Sequence, residues 1–133
     1  MKISWTRIAG HVLHTLVGGV MLMAGSGKAF GFAPQEIVES MSKHGLGDKL
    51  QLIGGGEMLS GLLLIIPWTS SLGVLLTSSF WGGAICIHMA HNESYLVPAV
   101  LLVMTWVGAV LRDRRALWSF DRPAALPRTP LAG

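Results

Sequence analysis

Two charged residues stand in apolar stretches of this 133-residue chain, and they are the first candidates for chemistry. Lys28 lies at the edge of one apolar run, and Glu57 lies inside the next. An ionised side chain in the centre of a bilayer costs about 3 kcal/mol or more unless it is paired, so we expect the two to meet. Such a pair can bind the polar head of a ligand or carry a proton. It can equally serve only to fix the packing of two helices.

Three further residues complete the candidate ligand-binding set. His88 lies near the outer end of the third apolar run, at the depth of the charged pair, where an imidazole can donate a hydrogen bond or carry a proton. His14 shares a helix face with Lys28 through three- and four-residue spacings. Trp81 lies one helical face below His88 and can line the apolar wall. Lys28, Glu57 and His88 are also the candidate catalytic residues.

Histidine and cysteine spacing argues against an intrinsic cofactor. Two His-x-x-His pairs occur, but His14 and His88 differ in depth by about 15 Å, which does not suit a haem held between two parallel helices. A metal held by His88, His91 and Glu57 would have a sparse ligand set, so we predict no metal site. Cys86 is the single cysteine, and this excludes the four-helix thiol–quinone enzymes that need a Cys-x-x-Cys pair.

The elements that must position these residues are membrane helices. The chain is 51% hydrophobic and 13% charged, with a mean hydropathy of +0.55, whereas soluble proteins carry about 25% charged residues. We predict an all-α integral membrane protein with a four-transmembrane-helix bundle in a single domain, residues 1–118. The predicted helices span residues 8–30, 50–67, 72–90 and 95–111. The proline-rich segment 119–133 is predicted to be a disordered cytoplasmic tail.

A short amphipathic helix is predicted between the first two spans, at about residues 34–44. Proline stands near its start, and Ile37, Val38 and Met41 share one face. We expect this helix to lie at the interface on the outer membrane surface.

The distribution of Lys and Arg predicts the orientation. Seven of these residues flank the first and last spans, whereas Lys43 and Lys49 alone stand on the other side. Both termini are therefore expected to be cytoplasmic. The excess of basic residues reflects topology and attraction to anionic lipid. The sequence has no basic stripe interleaved with aromatic residues, so we predict no nucleic-acid partner.

The chain resembles the DoxX-like branch of the DoxX superfamily. The resemblance rests on Gly25-Ser26-Gly27-Lys28, on the Gly-x-x-Glu run that ends at Glu57, and on Gly83-Ala84-Ile85-Cys86-Ile87-His88, and it covers about residues 8–112. It implies a small four-helix protein of the bacterial inner membrane. The superfamily name comes from a subunit of a thiosulfate:quinone oxidoreductase, and relatives include assembly or chaperone-like membrane proteins.

Several functions follow from this resemblance and these residues. The leading expectation is binding of a quinone-like or other lipophilic small molecule, or an accessory role in a membrane redox system with a partner subunit. One alternative is a membrane enzyme that uses Glu57 as acid or base on a lipophilic substrate. Another is a proton-coupled small-molecule transporter. A homo-oligomer is also open, because the small residues Ser78, Gly82 and Cys86 could pack within the chain or against a second copy.

Overall fold

The computed structural model describes residues 4–113, and this part of the chain is all α-helical. Its five α-helices are α1 (Trp5–Phe30), α2 (Gln35–Lys43), α3 (Leu50–Ile65), α4 (Ser70–Ala90) and α5 (Leu96–Arg112). By length and composition, α1 and α4 are apolar enough to cross a membrane, and α5 is apolar but shorter. The predicted tail, residues 119–133, lies outside the described residues.

Four of the helices form a closed ring. α1 packs against α3 and α5, and α4 packs against the same two helices on the other side. Successive members of the ring run in opposite directions, so the bundle has two distinct ends. We call the end where α1 begins and α5 finishes the Arg112 end, and the opposite end, where α4 finishes, the Glu93 end.

Two glycine crossings bring α1 and α3 into close contact. A Cβ atom on Gly54 would lie 2.5 Å from the carbonyl oxygen of Gly25, and one on Gly61 would lie 2.8 Å from that of Gly18. No side chain fits at either crossing, so the two backbones touch. Apolar helices in lipid gain little from the hydrophobic effect when they associate, because lipid tails are equally apolar. Close packing at small residues is a common alternative source of packing energy.

The face of α1 that His14 shares with Lys28 points into the bundle. His14, Gly18, Met21, Gly25 and Lys28 are all buried. Met21 is fully buried against α4, where the Thr77 hydroxyl donates a hydrogen bond to its sulfur at 3.7 Å. The buried apolar core is Val17, Met21, Leu64, Val74, Trp81 and Ala109.

The helix ends differ from the predicted ends by a few residues. α3 ends at Ile65 rather than at residue 67, and α4 begins at Ser70 rather than at residue 72. The Thr69 hydroxyl explains the tight connection, because it donates to the carbonyl oxygen of Leu63 at 3.0 Å and so satisfies a free acceptor at the end of α3. The short helix predicted at residues 34–44 is α2, Gln35–Lys43.

The small-residue row on α4 does not pack against another helix of the described chain. A Cβ atom on Gly82 or Gly83 would find nothing within 4 Å, and Cys86 is exposed. Within residues 4–113, close helix approach occurs instead at other glycines, among them Gly18, Gly25, Gly54, Gly61 and Gly73.

Candidate functional site

Lys28 and Glu57 meet as a buried ion pair between α1 and α3. Lys28 Nζ donates to Glu57 Oε2 at 2.5 Å, and the two side chains are only 8% and 2% exposed. The glycine crossing next to them creates this contact. Gly54 lies one helical turn before Glu57, and its missing side chain leaves room for Lys28 Cβ, which stands 2.8 Å from where a Cβ on Gly54 would be.

Two aromatic rings of α4 lie beside this pair. Lys28 Nζ is 6.0 Å from the centre of the Phe80 ring, a distance at which a cation is attracted by the ring face. Phe80 packs edge to face with Trp81, with 5.2 Å between the ring centres. Lys28 therefore lies next to Phe80, which belongs to an aromatic pair on α4.

Trp81 carries an unsatisfied hydrogen-bond donor. The residue is 8% exposed, and its Nε1 has no hydrogen-bond partner among the described residues. A buried indole N–H normally finds an acceptor, because leaving it unpaired costs about 1–3 kcal/mol. This orphaned donor makes Trp81 a candidate contact for a ligand oxygen.

His88 belongs to a different cluster at the Glu93 end. Its Nδ1 lies 3.2 Å from Glu93 Oε2, but the geometry is that of a close ion contact rather than a hydrogen bond. The other carboxylate oxygen of Glu93 lies 3.1 Å from His44 Nε2 with hydrogen-bond geometry. Glu93 therefore links the loop after α2 to the end of α4. Within residues 4–113, no hydrogen bond or ion pair joins His88 to Lys28 or Glu57.

The electrostatics of the Glu93 end follow from that bridge. The hydrogen bond from His44 holds the pKa of the Glu93 carboxyl below its ordinary value, and the nearby imidazoles of His88 and His91 act in the same direction. The rings of His44 and His91 lie 4.2 Å apart. Within residues 4–113, no three His, Cys, Asp or Glu side chains are grouped so that they could hold a metal ion.

His14 lies at the Arg112 end, far from Lys28. The two are fourteen positions apart on α1, which is about 21 Å along the helix. His14 is 2% exposed, its Nε2 lies 3.0 Å from the carbonyl oxygen of Thr105, and its Nδ1 lies 2.8 Å from Arg112 Nη1. The structure thus separates His14 from the other candidate residues, since a helix carries residues fourteen apart to opposite ends of the bundle.

The contacts of His14 determine its protonation. A guanidinium group can only donate, so Nδ1 must accept from Arg112, and Nε2 must carry the proton that is donated to Thr105. His14 is therefore a neutral imidazole in one tautomer. Gly108 makes room for this ring, because a Cβ atom there would overlap His14 Cδ2.

A cavity of about 680 Å³ opens beside His14 at the Arg112 end. Its volume lies within the ~300–1,000 Å³ range typical of small-molecule pockets. The polar part of the wall includes Arg7, His11, His14, Ser70, Ser71 and Arg112. The apolar part includes Val74, Leu75 and Trp106. Lys28 and Glu57 do not line it.

This cavity was not anticipated as a site, although one signal for it was present. Arg7, His11 and His14 follow one another at four- and three-residue spacings and share a face of α1. In sequence, Arg7 and Arg112 indicate only the orientation of the helices. Their shared wall depends on how α5 packs against α1, which spacing along one helix does not reveal.

Comparison with known proteins gives a family. The model of the DoxX-like family matches residues 12–108, a span that contains all five candidate residues. No curated protein and no solved structure matches the chain. The matched span covers α1 from its third turn, the whole of α2, α3 and α4, and most of α5. Since the match covers well over half of the sequence, the chain belongs to the DoxX-like family.

Proposed function

We propose that this protein binds a lipophilic small molecule with a polar head, of the quinone type, inside a membrane. Two observations carry the proposal: the buried Lys28–Glu57 pair, and the unpaired indole N–H of Trp81, whose ring packs against the Phe80 ring near Lys28. A ligand carbonyl would accept from Trp81, and a ligand hydroxyl could donate to Glu57. Only Oε2 of this carboxylate is used by Lys28, so the second oxygen offers acceptor capacity.

The proposal places four helices across the membrane: α1, α3, α4 and α5. Large apolar side chains point outward from the shorter helices as well as the long ones: Leu52 of α3 is 75% exposed, Leu75 of α4 61% and Val103 of α5 61%. An apolar outer surface that continues around a bundle suits lipid better than water. With 16 and 17 residues, α3 and α5 span about 24 and 26 Å, close to the ~30 Å hydrocarbon core.

The proposed orientation follows the charges at the two ends. Arg7 and Arg112 lie at the Arg112 end. In sequence, Lys2 precedes Arg7 and four more arginines follow Arg112. Lys43 and Lys49 lie on the other side of the bundle. We therefore assign both termini to the cytoplasmic side of a bacterial inner membrane, with α2 on the outer surface.

The experiment is native mass spectrometry of gently extracted wild type, Glu57→Gln and Trp81→Phe proteins. A small molecule held by the wild type and lost from both variants supports the proposal. Trp81→Phe matters because it removes the N–H but leaves the ion pair and the ring. Glu93→Gln is the matched control, since it removes one carboxylate outside the pair.

The other outcomes assign a different role. A retained small molecule in all four proteins means that this site does not bind it. A companion chain that stays bound to every protein, with no small molecule, supports the accessory role instead. An empty wild type with stable folding, supplied with a quinone and still empty, leaves the pair as a structural contact only.

A further inference from the structure

The cavity at the Arg112 end is built differently from the Lys28–Glu57 site. Two guanidinium groups, Arg7 and Arg112, lie on its wall together with His11 and His14. Asp113 is the acidic residue on that wall, so two fixed positive charges face one negative charge among the described residues. The cavity therefore has a net positive potential and favours an anion.

Two hydrogen bonds hold the Arg112 guanidinium in place before any anion binds. Its Nη1 donates to His14 at 2.8 Å, and its Nη2 donates to the carbonyl oxygen of Pro67 at 3.3 Å. Both acceptors are neutral, so these bonds fix the plane of the guanidinium without cancelling its charge. A guanidinium held in one orientation binds the oxygens of a phosphate or carboxylate with less loss of side-chain entropy than a free one.

The opposite wall suits an apolar chain. Val74 and Leu75 of α4 and Trp106 of α5 line the cavity, and Trp106 is 40% exposed on the outer surface of the bundle. An occupant can therefore place its head beside Arg112 and its tail along the groove between α4 and α5. The start of α4 also borders the cavity, and the partial positive charge of a helix N-terminus adds to the basic wall.

We infer that this cavity is a second binding site, which takes the phosphate or carboxylate head group of an amphiphilic molecule. It is independent of the proposed quinone-type site, because His14 and Lys28 are about 21 Å apart along α1. His14 acts here as a positioning residue for Arg112, and Gly108 provides the space for its ring.

The test measures binding of phosphatidylglycerol and of phosphatidylcholine to the purified full chain in detergent by native mass spectrometry. We expect the wild type to bind phosphatidylglycerol at least about tenfold more tightly than phosphatidylcholine. Both lipids carry a phosphate, but phosphatidylglycerol is a net anion, whereas the quaternary ammonium of phosphatidylcholine is repelled by Arg7 and Arg112. Arg112→Gln should remove most of this preference. Glu57→Gln should keep it, which separates this site from the one proposed above.

A second variant distinguishes binding inside the cavity from a general attraction of the anionic lipid to positive charge. Ser71→Phe fills the cavity without changing any charge, and Ser71 is exposed, so the substitution does not enter the core. We expect it to weaken phosphatidylglycerol binding as Arg112→Gln does. Lys49→Gln is the control, because it removes one positive charge at the opposite end and should leave binding within about twofold of wild type.

The source of the anion is decided by competition. If 10 mM inorganic phosphate displaces phosphatidylglycerol, the cavity recognises a free oxyanion; if it does not, the acyl chain is part of the ligand, and both results support an anion site. Equal binding of the two lipids, or unchanged binding in both Arg112→Gln and Ser71→Phe, overturns the inference.

Discussion

The ion pair of Lys28 and Glu57 illustrates how a buried charge is tolerated in an apolar bundle. Each side chain is at least nine-tenths buried, and each neutralises the other at 2.5 Å. A buried pair gives little net stability over two well-packed apolar residues, because both charges lose their hydration. Removing one partner is a different matter, since the remaining charge then has neither water nor a counterion.

This asymmetry gives a prediction at the residue scale. Lys28→Met and Glu57→Leu should each lower the free energy of unfolding by about 3–5 kcal/mol, whereas the double variant should lose much less than the sum. Unfolding in mixed detergent, followed by circular dichroism, measures all four corners of this cycle. Additive losses would mean that the two side chains are not coupled.

Glu93 gives a second prediction at this scale. Because its pKa is held below the ordinary value of 4.5 by His44, its ionised form favours the folded link between the loop after α2 and the end of α4. That stabilisation is present above pH 4.5 and is lost as the pH falls through the lowered value. Amide exchange, corrected for intrinsic rates, should show reduced protection of residues 44–47 and 88–93 at pH 3 relative to pH 6.

The control for this effect is Glu93→Gln. A glutamine cannot titrate, so the variant should show the same low protection of both segments at the two pH values. If protection in the wild type were also independent of pH, the carboxylate would not be the group that holds this link.

At the scale of elements, the seam between α1 and α3 decides where the polar residues lie. The crossings at Gly25 with Gly54 and at Gly18 with Gly61 are two helical turns apart on both helices, so they fix the register of the pair. A shift of one residue would place a side chain where only a backbone fits. Lys28 and Glu57 are brought together by this register rather than by their own attraction alone.

Neighbouring glycines of α3 allow a matched test of that seam. Gly54→Ala places a methyl group 2.5 Å from the Gly25 carbonyl oxygen and should lower the free energy of unfolding by about 1–3 kcal/mol. Gly55→Ala meets nothing within 4 Å and should be neutral or stabilising by up to about 1 kcal/mol, because alanine favours the helix. Equal effects of the two substitutions would contradict a seam at Gly54.

The sequence was sufficient for part of this description. Apolar runs located the helices to within a few residues, and spacing identified the buried face from His14 to Lys28, because both signals are local to one helix. The pairing of Lys28 with Glu57 followed from the cost of isolated charge in lipid. The role of Thr69 between α3 and α4 was not visible, since a short polar turn has no periodicity.

At the scale of the whole molecule, the two ends of the bundle carry different chemistry. The Glu93 end joins a carboxylate to histidines, whereas the Arg112 end surrounds a cavity with guanidinium groups. Neither cluster is visible in the sequence, because folding brings His44 to Glu93 and His14 to Arg112 from distant parts of the chain.

The orientation of the molecule can be checked with single cysteines. In a Cys86→Ser background, Ser94→Cys at the Glu93 end should react with a membrane-impermeant maleimide added to spheroplasts. Ser4→Cys at the Arg112 end should react only after lysis, because positively charged ends remain in the cytoplasm. Reaction of both variants before lysis, or the reverse pattern, would contradict four crossings with cytoplasmic termini.

Oxidation of Met21 can report how often the bundle opens. Its sulfur is fully buried beneath Thr77, whereas Met23, two residues further along α1, is 73% exposed. A peroxide that enters the bilayer should convert Met23 to the sulfoxide directly, but it can reach Met21 only when α1 and α4 part. The ratio of the two sulfoxides therefore records how often the bundle opens, without any added label.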